Sequence, residues 1–299
     1  MRLVTVRSAG GPRAGVVVDV AGVDRVALLA DPVTAVLGGG AARERAEDAA
    51  ASVTAASPAL AALDLAPPVT PGKILCLGYN YRGHVPDGVD PTADDPAFPD
   101  VFVKTPNTLA GPDDAVVLPT GAVDADYEGE LAIVIGRRAH EVSLADALGH
   151  VGGYTILDDV SDRAWQRRQS QWALGKCSDG FAPLGPWITT RDAAPDPQDV
   201  LVEVVRDGVV TVSQSTATTI FSVAFVVHHL SQVMTLEPGD VISTGTPQKL
   251  PAAQAAHRPL AGGDTVTVRI TGLGELTTRF IEPLHRPGVA SGTTTGENA

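Results

Sequence analysis

The chain is short of cysteine, of aromatic residues and of positive charge. Its two cysteines, Cys76 and Cys177, exclude a disulfide framework and leave no CxxC pair for a thiolate metal site. Aromatics make up 4% of the residues, while Ala, Val and Gly are abundant; this reflects compositional bias in the source more than function. Lys and Arg number 22 against 35 acids, a net charge of −13, which argues against nucleic acid or an anionic membrane as the main partner. No apolar run approaches the ~18 residues of a membrane span, and Met1–Ser8 has no apolar signal core. The expected compartment is the cytoplasm. GxGxxG, a P-loop and internal repeats are also missing.

What is present is a succession of short strand-like segments. Residues 2–7 alternate and Ala14–Val20 is valine-rich, which predicts two strands around Gly10-Gly11-Pro12. Ala41–Ala62 is alanine-rich and favours one or two helices. The prolines of Ala66-Pro-Pro-Val-Thr-Pro-Gly72 block regular structure and place a boundary near residue 70. The expected organisation is a small N-terminal domain over 1–70, a catalytic domain over 71–285 and a disordered Gly/Thr/Ser tail over 286–299. Val200–Val205 and Val209–Val212, split by Asp207-Gly208, read as a hairpin, and Ile220–Val233 has helical spacing. Many strands, few helices and no regular βα alternation favour a β-dominated α+β fold.

The chemistry concentrates between Asp126 and Lys176. Glu128 and Glu130 lie two apart before an apolar run, so on a strand both side chains leave by one face, about 7 Å apart. Facing solvent they need no explanation. Facing inward they repel and resist desolvation unless a cation sits between them. A second acidic spot, Asp158-Asp159, ends the next apolar segment, and oxygen donors of this kind suit a hard divalent ion. No Cys or His lies beside these acids, which disfavours zinc.

His84 follows a strand-like segment and two tyrosines, with Asp87 three residues on. It reads either as a surface histidine or as a general base oriented by that carboxylate. Lys176 lies in a glycine-rich segment and reads locally as a solvated lysine. Thr246, between Gly245 and Pro247, either presents its hydroxyl to a ligand or belongs to a plain turn.

Taken in order, these residues resemble the fumarylacetoacetate hydrolase family. The resemblance rests on Gly78-Tyr-Asn-Tyr-Arg-Gly-His84, Phe102-Val-Lys104, Tyr127-Glu-Gly-Glu-Leu-Ala-Ile-Val-Ile-Gly136 and Gly153-Tyr-Thr-Ile-Leu-Asp-Asp-Val-Ser-Asp-Arg163. It continues through Gln171-Trp-Ala-Leu-Gly-Lys176, Pro183-Leu-Gly-Pro-Trp187 and Leu236-Glu-Pro-Gly-Asp-Val-Ile-Ser-Thr-Gly-Thr-Pro247, and so spans about 73–284. It implies a mixed β-sandwich roll with a small N-terminal domain, assembled as a homodimer. It also implies Mg²⁺ or Mn²⁺ held by Glu128, Glu130 and Asp159, the family motif selecting Asp159 over Asp158. His84, Asp87 and Lys176 match catalytic positions, and Arg163, Gln166 and Thr246 match substrate-lining ones.

Three departures stand out. Asp87 replaces the family's usual Glu and is flanked by Pro86 and Gly88, Gly83 replaces the acid before the histidine, and Gln248-Lys-Leu-Pro251 replaces a Gly-Val-Gly. The implied activity is hydrolysis of a C–C bond in a 2,4-dioxo acid of the acylpyruvate or fumarylacetoacetate type. There the metal stabilises an enolate, His84 activates water, and Lys176 with Thr246 stabilises the oxyanion. The same site also fits a decarboxylase or keto–enol isomerase of a 2-oxo diacid, and a non-catalytic binding module is a third reading. In every case the partner is a small anionic 2-oxo acid.

Overall fold

The computed structural model describes residues 1–84, 95–168 and 170–283. Its strands are β1 (Arg2–Val6), β2 (Arg13–Val20), β3 (Val23–Leu28), β4 (Ile74–Gly78), β5 (Asp100–Lys104), β6 (Ala115–Val117) and β7 (Gly129–Ile135). They continue as β8 (Val151–Asp158), β9 (Ala182–Thr190), β10 (Leu201–Arg206), β11 (Val209–Ser215), β12 (Val241–Ser243), β13 (Thr265–Ile270) and β14 (Gly274–Ile281). The larger sheet runs β3-β2-β1-β9-β8-β7-β12-β4-β5, and the smaller β11-β10-β13-β14-β6. The fold is the strand-dominated type that the segment pattern predicts.

Residues 1–70 are joined to this frame through the sheet. β1 pairs antiparallel with β9, Leu3 lying opposite Ile188. The helices α1 (Val33–Gly38) and α2 (Gly40–Ala51) then cover the outer face. Within the alanine-rich stretch the α-helix ends at Ala51, and after turns at Ala55 and Ala56 only the 3₁₀ turn Leu60–Ala62 follows.

β7 lies at the centre and is buried along its whole length. Alternation assigns its side chains to two cores. Leu131, Ile133 and Ile135 pack with Val202, Val204, Val266, Val268 and Phe280 of the smaller sheet. Ala132 and Val134 point the other way, toward Val36 and Leu37 of α1, with Ile74 and Leu184. A strand apolar on both faces cannot show this division in its sequence. The even-numbered face carries Glu130 to the end of the strand, away from the smaller sheet. The hairpin of β10 and β11 forms as expected. Asp207 and Gly208 take positive φ of 49° and 82°, which a two-residue turn of matching twist requires.

No helix among the described residues is long and apolar enough to cross a membrane. Asp87 and the expected tail from residue 286 lie outside the described residues.

Candidate metal centre and active site

β7 and β8 run antiparallel, with Gly129 opposite Asp158, so the acidic ends of both strands meet. Glu128, Glu130 and Asp159 each bring a carboxylate oxygen into one cluster, all within 4.8 Å of one another, and all three residues are buried. Asp158 points elsewhere. It follows Ile156 onto the face of the smaller sheet, whereas Asp159 follows Leu157 onto the Glu130 face. The backbone holds this turn, since Asp159 N–H donates to the Glu128 carbonyl at 2.8 Å.

Two buried lysines flank the cluster. Lys176 Nζ donates to Glu128 Oε2 at 2.7 Å and Asp159 Oδ2 at 2.6 Å. Lys104 Nζ donates to Asp159 Oδ1 at 2.5 Å and to the Val160 carbonyl at 3.0 Å. Lys176 ends the helix α4 (Ala173–Lys176), which packs closely on α3 (Arg163–Gln166). A Cβ on Gly175 would come within 2.6 Å of Gln166 N, so glycine is what allows that approach. Arg163, set at the start of α3 by its N-cap Asp162, reaches back to Glu128 Oε1 at 2.6 Å and Asp126 Oδ2 at 3.0 Å.

Electrostatics separates Glu128 from Glu130. Burial raises the Glu128 carboxyl, but Arg163 and Lys176 outweigh it and hold it well below the usual carboxylate range. Glu130 moves the other way: burial, then the charges of Asp159 and Glu128, push it well up. Its Oε2 accepts from Ser243 Oγ at 2.5 Å and Gly245 N–H at 2.8 Å, and it forms no ion pair with a cation of the described residues. A buried, all-oxygen donor set in which Glu130 has no cation partner among the described residues fits a hard divalent cation.

Glu128, Glu130, Arg163 and Lys176 line one cavity of about 260 Å³ together with His84, Tyr79, Phe102, Gln166, Trp172 and Thr246. Of the residues singled out from the sequence, Glu128, Glu130, Arg163, Gln166, Lys176, His84 and Thr246 therefore converge, with Asp159 in the carboxylate cluster. Gly245, at φ 89°, turns the chain so that its N–H meets Glu130 and the next carbonyl meets His84. His84 Nδ1 lies 2.9 Å from the Thr246 carbonyl. A carbonyl only accepts, so Nδ1 carries a proton, and in the neutral imidazole the lone pair lies on Nε2.

Sequence reasoning gave no role to Lys104, Asp126, Ser243 or Lys249. Lys104 shares a strand face with Phe102, two residues earlier, which marks it as inward-facing once the strand is recognised. The other three carry no local signal.

Asp158 has its own consequence. Its Oδ1 accepts the Glu128 N–H at 3.2 Å, and among the described residues its Oδ2 has no hydrogen bond of ordinary geometry, with the Thr278 hydroxyl nearby only partly favouring the ionised form. Burial drives the carboxyl up to about 7. The folded state then binds a proton that the unfolded chain releases near pH 4, so stability falls as pH rises from there through about 7. Asp158→Asn removes that penalty. The variant's Tm advantage over the parent is expected to be larger at about pH 8 than at about pH 5 in paired thermal melts. An offset independent of pH would contradict the assignment.

Fold and site together define a strand-rich protein with a buried cluster of three carboxylates beside a histidine and two lysines. The family model described as Fumarylacetoacetate (FAA) hydrolase C-terminal matches residues 73–281, and the chain belongs to that family. A Burkholderia cenocepacia protein whose name gives no substrate is 43% identical over 209 residues, 68% of this chain and 72% of that one. Among solved structures, a 5-carboxymethyl-2-hydroxymuconate delta-isomerase from Mycobacterium smegmatis superposes with TM-score 0.78 at 33% identity, covering 95% of this chain and 100% of that one. A fumarylacetoacetate hydrolase from Exiguobacterium antarcticum gives TM-score 0.78 at 32% identity, with the same coverage. A 2-hydroxyhepta-2,4-diene-1,7-dioate isomerase from Mycobacterium marinum gives 0.77 at 33%, covering 94% and 98%.

Proposed function

We propose that this protein is a Mg²⁺- or Mn²⁺-dependent hydrolase that cleaves a carbon–carbon bond in a 2,4-dioxo acid. The observation that carries the reading is the meeting, around one cavity, of the carboxylate triad, a histidine fixed through Nδ1 and a buried ammonium group. Held by Glu128, Glu130 and Asp159, the ion supplies Lewis-acid polarisation and charge stabilisation at the 2-oxo acid end.

The chain's own groups supply the rest. His84, fixed through Nδ1, takes a proton from water at Nε2. The hydroxide adds to the C4 carbonyl, the C3–C4 bond breaks, and its electron pair stays with the 2-oxo acid half. That half takes a proton at C3, leaving a 2-oxo acid and a carboxylic acid. Burial opposes the Lys176 charge, but Asp159 and Glu128 outweigh it, so this lysine acts as a fixed cation and not as a proton donor. Arg163 and Gln166 are linked at 3.0 Å and offer donors that orient the substrate oxygens.

A second reading, decarboxylation or keto–enol isomerisation of a 2-oxo diacid, has support from the two Mycobacterium neighbours named as isomerases. Incubating the protein and Mg²⁺ with acetylpyruvate and with oxaloacetate separates the two. Pyruvate plus acetate is the expected result for hydrolysis. CO₂ without acid release would overturn it in favour of the second reading.

A further inference from the structure

Next to the metal cavity lies a second one of about 200 Å³, and His84, Glu128, Arg163 and Thr246 line both. The far wall of the second cavity carries Lys249, in the segment where the family's Gly-Val-Gly is replaced. We infer that this second cavity is a subsite for a distal carboxylate of the substrate, with Lys249 as its selectivity element. The inference deepens the reading above and rests on it for the placement of the 2-oxo acid end.

His84 lines both cavities, so a substrate with its 2-oxo acid end at the triad and its tail in the second cavity would have the base beside the chain between them.

Lys249 is tied to Asp126 Oδ1 and lies 4.1 Å over the Tyr127 ring. Its backbone is held as well, because Gln254 Nε2 donates to the Lys249 carbonyl at 2.6 Å and Leu250 N–H to the Thr211 carbonyl at 2.8 Å. The ammonium group is thus positioned before anything binds, and the helix after it begins with Pro251 at its first turn.

Asp126 serves two cations, with Arg163 on Oδ2 and Lys249 on Oδ1. Across the linked cluster the cations Lys104, Arg163, Lys176 and Lys249 equal the carboxylates Asp126, Glu128, Glu130 and Asp159 in number. A divalent ion adds two positive charges to this balanced set. A monocarboxylate leaves one of them uncompensated in a half-buried site, whereas a dicarboxylate compensates both.

Binding to the Mn²⁺-loaded protein tests this. Calorimetry would compare 2-oxoheptanedioate with 2-oxoheptanoate, which lacks the distal carboxylate. Neither has a C4 carbonyl, so the comparison stands even if the hydrolytic reading fails. The diacid is expected to bind about ten- to a hundredfold tighter, as suits one charge-assisted contact. Lys249→Gln is expected to collapse that ratio and Lys249→Arg to keep most of it. The kcat/KM ratio for 2,4-dioxoheptanedioate over 2,4-dioxoheptanoate should move in parallel. Equal binding of the two analogues by the parent protein would overturn the subsite. So would a ratio that Lys249→Gln leaves intact.

Discussion

Glu130→Gln is expected to abolish divalent-ion binding, to lower kcat/KM by roughly a thousandfold or more, and at the same time to stabilise the ion-free protein. The two effects have one origin. Glu130 is 1% exposed and lies in the carboxylate cluster without an ion pair among the described residues. Burial and the neighbouring charges of Asp159 and Glu128 push its carboxyl well up, so ionising it near neutral pH costs folding free energy. Glutamine keeps the acceptor for Ser243 Oγ and the Gly245 N–H while removing the charge. Thermal melts in EDTA and in Mn²⁺ read both effects. The variant should melt above the parent in EDTA, and the rise that Mn²⁺ confers on the parent by binding its folded state should vanish. A variant that kept the Mn²⁺-induced rise would remove Glu130 from the ligand set.

Different parts of the site were legible to different degrees, for identifiable physical reasons. The pairing of Glu128 with Glu130 follows from the two-residue period of a strand, a local property. The choice of Asp159 over Asp158 has the same origin, since Leu157 and Ile156 fall in different cores, but it needs the knowledge of which core lies where. The family motif gave the same answer without that knowledge. The Asp207-Gly208 turn was legible because its backbone conformation restricts residue choice. Contacts between segments far apart in the chain were not. Lys249 meets Asp126 across 123 positions, and Ser243 meets Glu130 across 113. Nothing in Gln248-Lys-Leu-Pro251 alone says that its lysine turns inward. The pairing of β1 with β9 likewise joins Leu3 to Ile188 across the proline-rich stretch near residue 70, a contact that composition alone does not show.

Lys176→Met is expected to act in the opposite sense to Glu130→Gln, destabilising the ion-free protein by about 3–5 kcal/mol while lowering kcat by roughly 10²–10³. Lys176 is 2% exposed, and its ammonium joins Glu128 to Asp159 while lying 4.7 Å over the Phe102 ring. Methionine fills the volume and packs on that ring. It leaves Glu128 Oε2 and Asp159 Oδ2 without their donor. Arg163 on Glu128 Oε1 and Lys104 on Asp159 Oδ1 still hold the other oxygens, which places the loss toward the lower end of that range. A divalent ion bound by the same carboxylates restores positive charge, so Mn²⁺ should raise the variant's Tm more than the parent's. Activity should not recover with it, because the fixed cation facing the substrate is gone. Comparing Tm and kcat with and without Mn²⁺ separates these roles: stability rescued without turnover assigns Lys176 to the reaction. Recovery of both by the metal would make it a structural counter-charge alone.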